Sequence, residues 1–103
     1  YLARSRRQAP VPYVLKHRET GEIAACMLKN VYDLDYFGVK WWDSPAEASA
    51  ESARLLAELG RRDAAMWDVV EIDSSTLKLG NVKLNNDPRR TLYMDEQGKL
   101  RAR

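Results

Sequence analysis

The chain has 103 residues, enough for one hydrophobic core and too few for a multidomain assembly. Its 45% apolar and 31% charged content excludes wholesale disorder, and no uncharged stretch approaches the roughly 20 residues that a membrane helix needs. The net charge of +2 hides an asymmetry: Arg4, Arg6, Arg7 at one end and Lys99, Arg101, Arg103 at the other leave 11 basic against 15 acidic residues in 8–98, a body of net −4. Basic ends on an acidic body allow contact with nucleic acid or an acidic partner, although charged termini commonly do no more than keep a small protein soluble. A lone cysteine, Cys26, cannot close an internal disulfide, which fits a reducing, cytoplasmic setting.

Residues 1–10 lack apolar periodicity and end in Pro10, so they read as a flexible basic arm ahead of a single α+β domain spanning 11–103. Two apolar runs follow, 11–18 and 23–29, separated by Glu19, Thr20 and Gly21. A three-residue hairpin with Gly21 in the left-handed region sets Leu15 opposite Ala25 and His17 opposite Ile23. That register puts His17 and Cys26, the only candidates of their kinds for base and nucleophile, on opposite faces, which argues against a Cys–His pair. Residues 30–35 mix turn formers with Val31, Tyr32 and Leu34 and read as a loop or a strand start.

The run 36–42, YFGVKWW, is a strand by its aromatic and β-branched content. Alternation sends Phe37, Val39 and Trp41 one way, assigned to the core beneath the helix, and Tyr36, Gly38, Lys40 and Trp42 the other, toward a partner. The helix itself covers 44–60. Ser44 is the N-cap, Pro45 occupies the first helical position, Glu47 completes a capping box, and Gly60 ends it. Ala48, Ser52, Leu55, Leu56 and Leu59 form its apolar stripe.

A strand is expected over 66–72 and a turn at 73–75. Residues 77–84 read as a tight hairpin about Gly80 and Asn81, with Lys78 opposite Lys83 on an exposed face; a short helix starting at Ser75 is the competing reading. Residues 85–90 form a loop, and 92–95 pairs with 99–103 around Glu96, Gln97 and Gly98, setting Met94 opposite Leu100.

The expected fold is therefore α+β: a mainly antiparallel sheet of five to seven short strands with one long helix on one face. No catalytic, metal-binding or phosphate-binding motif stands out. Asp33 and Asp35 lack the further ligands of a metal loop, and neither Gly80 nor Gly98 stands in a phosphate-loop pattern, so no cofactor or metal is expected. The leading functional expectation is a noncatalytic interaction module, a homodimer or the partner of another protein, that uses Tyr36, Lys40, Trp42, Lys78 and Lys83. The alternative is nucleic-acid binding through the basic ends with Arg89 and Arg90, helped by the aromatic and lysine-bearing strand. An enzyme requires Asp33, Asp35 and Asp68 to converge in a cleft.

Overall fold

The computed structural model describes residues 11–103; the expected arm, with Arg4, Arg6 and Arg7, lies outside them. The elements, in order, are β1 (Tyr13–His17), β2 (Glu22–Ile23), β3 (Ala25–Lys29), β4 (Asp35–Val39), α1 (Pro45–Glu58), a 3-10 turn (Ala64–Met66), β5 (Trp67–Glu71), α2 (Ser74–Leu84), β6 (Leu92–Met94) and β7 (Leu100–Ala102). Among the described residues they build a five-stranded antiparallel sheet in the order β5-β1-β2-β6-β7 and a two-stranded ribbon, β3-β4. The α+β class and the antiparallel sheet are as expected, but two helices of moderate length replace the single long one.

The first helix forms where its capping residues place it. Ser44 Oγ accepts the Glu47 N–H at 3.2 Å, and Pro45 opens the helix. At the far end Gly60 takes φ +77° and donates to Ala57 O, while Arg61 N–H reaches Leu56 O at 2.8 Å, the paired bonds of a Schellman ending. Only Ala48 and Leu56 of the stripe are fully buried, whereas Leu59 stays 37% exposed.

The sheet is divided by an exchange of neighbours at Ala24. The Ala24 N–H donates to Leu15 O of β1 at 3.0 Å, while its carbonyl accepts from Lys40 N at 3.1 Å. Both groups of one residue in an extended strand point to the same edge, so on that edge the chain 22–29 has β1 as neighbour first and β4 afterwards. The expected continuous hairpin of 11–18 with 23–29 is thus corrected. Lys16, not His17, is opposite Ile23, and a four-residue connection replaces the three-residue turn. The extra residue arises because His17 Nδ1 accepts the N–H groups of both Glu19 and Thr20, widening the turn.

Period-two alternation along β1 separates two cores. Val14 joins Ile23, Val39, Ile72, Leu84, Leu92 and Leu100 on the α2 side. Leu15 joins Ala24, Trp42, Ala48, Leu56 and Trp67 on the α1 side. Each fully buried Leu, Ile or Val contributes roughly 1.5–3 kcal/mol relative to exposure. The alternation read over 36–42 holds and Phe37 and Val39 are core as assigned, but beneath α2 and not α1, and the two tryptophans exchange roles. Phe37 and Val39 pack toward α2, Trp41 is 39% exposed, and Trp42, expected on an open surface, is 5% exposed beneath α1 with its indole N–H on Glu51 Oε1 at 2.9 Å. A second helix claimed the face that a one-helix fold would have left open.

That helix, α2, overturns the 77–84 hairpin in favour of the competing reading. Asp73 caps it by accepting the Thr76 N–H at 2.8 Å, and Asn85 closes it at φ +53°. Gly80, expected in a turn, is buried in the helix interior, where a Cβ would come within 2.9 Å of Leu92 Cδ2. The glycine is there to let α2 approach the sheet. The final hairpin matches expectation, with Met94 opposite Leu100 and Asp95 N–H on Lys99 O.

Gly21 has φ +79°, and a Cβ there would run into the Met94 carbonyl oxygen. Its own carbonyl accepts Met94 N–H at 2.8 Å, joining the β1–β2 connection to β6. Gly21→Ala is expected to lower unfolding free energy by about 2 kcal/mol or more, measured by urea denaturation; an unchanged midpoint would show that the connection relaxes freely.

Candidate functional site

Among the described residues the buried polar side chain is that of His17, 6% exposed at the end of β1. Its Nδ1 accepts from Glu19 N–H at 3.1 Å and Thr20 N–H at 3.2 Å, which assigns the ring proton to Nε2, 2.9 Å from Asp63 Oδ2. Asp63 Oδ1 accepts the Trp67 indole N–H at 2.9 Å, and that bond, followed by the one from His17, holds the Asp63 carboxyl below the usual carboxylate range. The Trp67 ring meets His17 edge-on at 5.2 Å and carries the Arg61 guanidinium 5.1 Å above it. Arg61 in turn forks onto both carboxylate oxygens of Glu22. With both nitrogens of His17 engaged, the network clamps the β1–β2 connection to β5.

Cys26 is half-buried on β3, and burial raises its thiol pKa, which disfavours the thiolate. The corrected register puts Cys26 and His17 on the same side of the sheet. Cys26 nonetheless lies four residues beyond Glu22, the residue opposite His17, about 13 Å along the strand. The three acids of the enzyme reading do not converge either. Asp33 and Asp35 hold Lys29 at 3.8 and 3.0 Å, while Asp68 on β5 pairs with Arg18 at 2.8 Å. Among the described residues no group of three or more His, Cys, Asp and Glu is placed to hold a metal ion.

Of the expected partner residues, Tyr36 and Lys40 remain together, lining a shallow hollow with Leu28, Lys29 and Trp41. Trp42 is removed from the set by burial, its ring carrying Lys40 Nζ at 5.3 Å. Lys78 and Lys83 were brought together only by the hairpin. Five residues apart on α2 they point about 140° from one another, and Lys83 lies beside Arg90 and Arg101. Arg89 grips Asp87 through Nε and Nη2, and Arg90 donates to Lys83 O, so neither is an unengaged cation.

Besides Leu79 and Val82 on α2, a cluster of exposed apolar side chains lies at the end of the ribbon. Met27, Val31, Tyr32 and Leu34 are 55%, 92%, 79% and 61% exposed. The connection that carries the last three is held in shape, because Asn30 Oδ1 accepts from Tyr32 N–H at 2.8 Å and Leu34 N–H at 3.1 Å, with Asp33 at φ +62°. Three large apolar residues within a turn were the signal for this surface. On the β4 edge, Phe37 N–H and Val39 N–H are taken by the side chains of Asn86 and Asn81, at 2.6 and 2.8 Å. By the same ladder, Ala25, Met27 and Lys29 direct their backbone groups away from β4, where no strand pairs with them among the described residues.

Comparison with known protein families, curated proteins and solved structures finds no match to the chain. Among the described residues no helix is long and apolar enough to cross a membrane.

The clamp generates two expectations. His17→Leu keeps the bulk but deprives Glu19 and Thr20 of their acceptor and Asp63 of a donor, and should cost about 2 kcal/mol in urea unfolding. Asp63, with its folded pKa below the unfolded value of about 3.9, contributes stability that is present above that pH and lost as pH falls through the folded value. Asp63→Asn should therefore flatten the acid limb of a stability–pH profile below about pH 4. The remaining slope belongs to Asp68, Asp73 and Asp87, which Arg18, Thr76 and Arg89 respectively hold low.

Proposed function

We propose that the protein is a noncatalytic interaction module that associates with a second copy of itself through the β3–β4 ribbon. The observation that carries this reading is the concentration of Met27, Val31, Tyr32 and Leu34, all more than half exposed, on one hairpin whose turn is already ordered. An ordered turn binds with little further loss of conformational entropy. A second copy is favoured because the outer edge of β3 is self-complementary. Antiparallel pairing about Met27 sets Cys26 opposite Leu28 and Ala25 opposite Lys29, so no like charges face each other across a two-fold axis. Lys29, a charged residue that would otherwise guard such an edge, is drawn to Asp35. A half-buried thiol at this seam suits the reducing conditions of a cytoplasm.

The module reading replaces the original partner surface in part: Tyr36 and Lys40 flank the ribbon, whereas Lys78 and Lys83 belong to α2. The test is sedimentation velocity over a micromolar concentration series. The parent chain should sediment as a concentration-dependent dimer, and the variant Val31→Ser, Tyr32→Ser, Leu34→Ser should sediment as a monomer with unchanged circular dichroism. A parent that stays monomeric throughout, or a variant that still dimerises, would overturn the ribbon as the seam.

A further inference from the structure

The α1 side of the main sheet is only half covered. Among the described residues the helix lies over β1 and β5 and leaves the same face of β6 and β7 open. In the β6–β7 ladder Tyr93 is opposite Arg101, so their side chains share this face, and Lys99 and Arg103 flank Arg101 at two-residue spacing. The Arg103 guanidinium lies 5.4 Å from the Tyr93 ring centre. These residues, with Thr20 and Asp95, border an open groove of about 360 Å³.

The charge of this groove is offset only in part, three cations standing against the single carboxylate of Asp95. Lys99, Arg101 and Arg103 make no ion pair with a side-chain carboxylate among the described residues. Asp95 turns its Oδ1 onto the Gln97 and Lys99 N–H groups of its own turn. Glu22, on the other side of Tyr93 in the sheet, is forked by Arg61 and so carries its own counter-charge. The result is an aromatic ring at the centre of a flat strand surface, with three cations at strand spacing beside it. Asp95 is the one acidic residue among those that line the groove.

We infer that the open face of β6 and β7 binds single-stranded nucleic acid, with Tyr93 stacking a base and Lys99, Arg101 and Arg103 meeting backbone phosphates. An exposed base offers the flat π surface the ring can take, and successive phosphates supply the charge that the three cations lack. A duplex hides its bases and offers the ring nothing. This face is separate from the β3–β4 ribbon and does not depend on the dimer.

The test is fluorescence anisotropy of a labelled mixed-sequence single strand and of the matching duplex, titrated with the full chain across a salt series. The single strand should bind more tightly than the duplex, with a slope of log affinity against log salt of about −2 for three phosphate contacts. The triple variant Lys99→Gln, Arg101→Gln, Arg103→Gln should lose about tenfold or more in affinity and most of that slope. Tyr93→Leu should lose about fivefold or more with the slope unchanged, the mark of lost stacking. A charge-matched control, Arg54→Gln, Arg62→Gln, Lys78→Gln, should bind like the parent. Duplex binding equal to single-strand binding, undiminished affinity in the triple variant, or an equal loss in the control would overturn the assignment.

Discussion

The arrangement of this molecule depends on the two hydrogen bonds of Ala24, one to β1 and one from the residue after β4. Because a strand presents alternate residues to alternate edges, a change of neighbour at a single residue is enough to divide one run of chain between two sheets. Up to Ile23 the run is central, flanked by β1 and β6; after Ala24 it keeps one partner and projects as a ribbon. The same division lets residues 40–42 swing across to β1, where Tyr13 and Trp42 exchange hydrogen bonds at 2.9 Å and Trp42 drops beneath α1. The ribbon's exposed tip, the burial of Trp42 and the separation of the two cores are thus consequences of one exchange.

Two devices stabilise the exchange. On the α2 side, Asn81 and Asn86 offer their side-chain carbonyls to β4 where a next strand would stand, so an edge near the core is satisfied without being extended. On the α1 side, His17, Asp63 and Trp67 close a polar network around the β1–β2 connection, with Arg61 and Glu22 beside it. Nearly every polar atom in that network has a partner, which is the condition under which buried polar groups specify one conformation and do not weaken the core.

Two unlike surfaces remain. The ribbon presents apolar side chains on an ordered turn, and the β6–β7 face presents cations around one aromatic ring. They lie on different elements and differ in chemistry, one apolar and one cationic. The basic character noted at the C-terminal end of the chain gains its meaning from β7, whose two-residue period gathers Lys99, Arg101 and Arg103 onto one face.

What was legible in the sequence was local. The caps of α1, the turn at Gly98, the period-two alternation of 36–42 and the antiparallel class all follow from interactions between residues close in the chain. Those interactions are the same whatever surrounds them. What the tertiary structure alone decided was non-local. Over 77–84 a self-consistent hairpin pattern and a helix were both open locally, and the helix prevailed because Gly80 lets it pack against Leu92, Val39 and Leu100. The second helix then covered Phe37 and Val39, while the crossing of residues 40–42 to β1 put Trp42 beneath α1 and turned it from an expected contact residue into core. The widened turn at His17, whose ring is held from 46 residues away by Asp63, shifted a register that hydrophobic pattern had placed one residue away. Alternation states which side chains go together, but only packing against a particular neighbour states which set faces inward, and that neighbour is supplied from far along the chain.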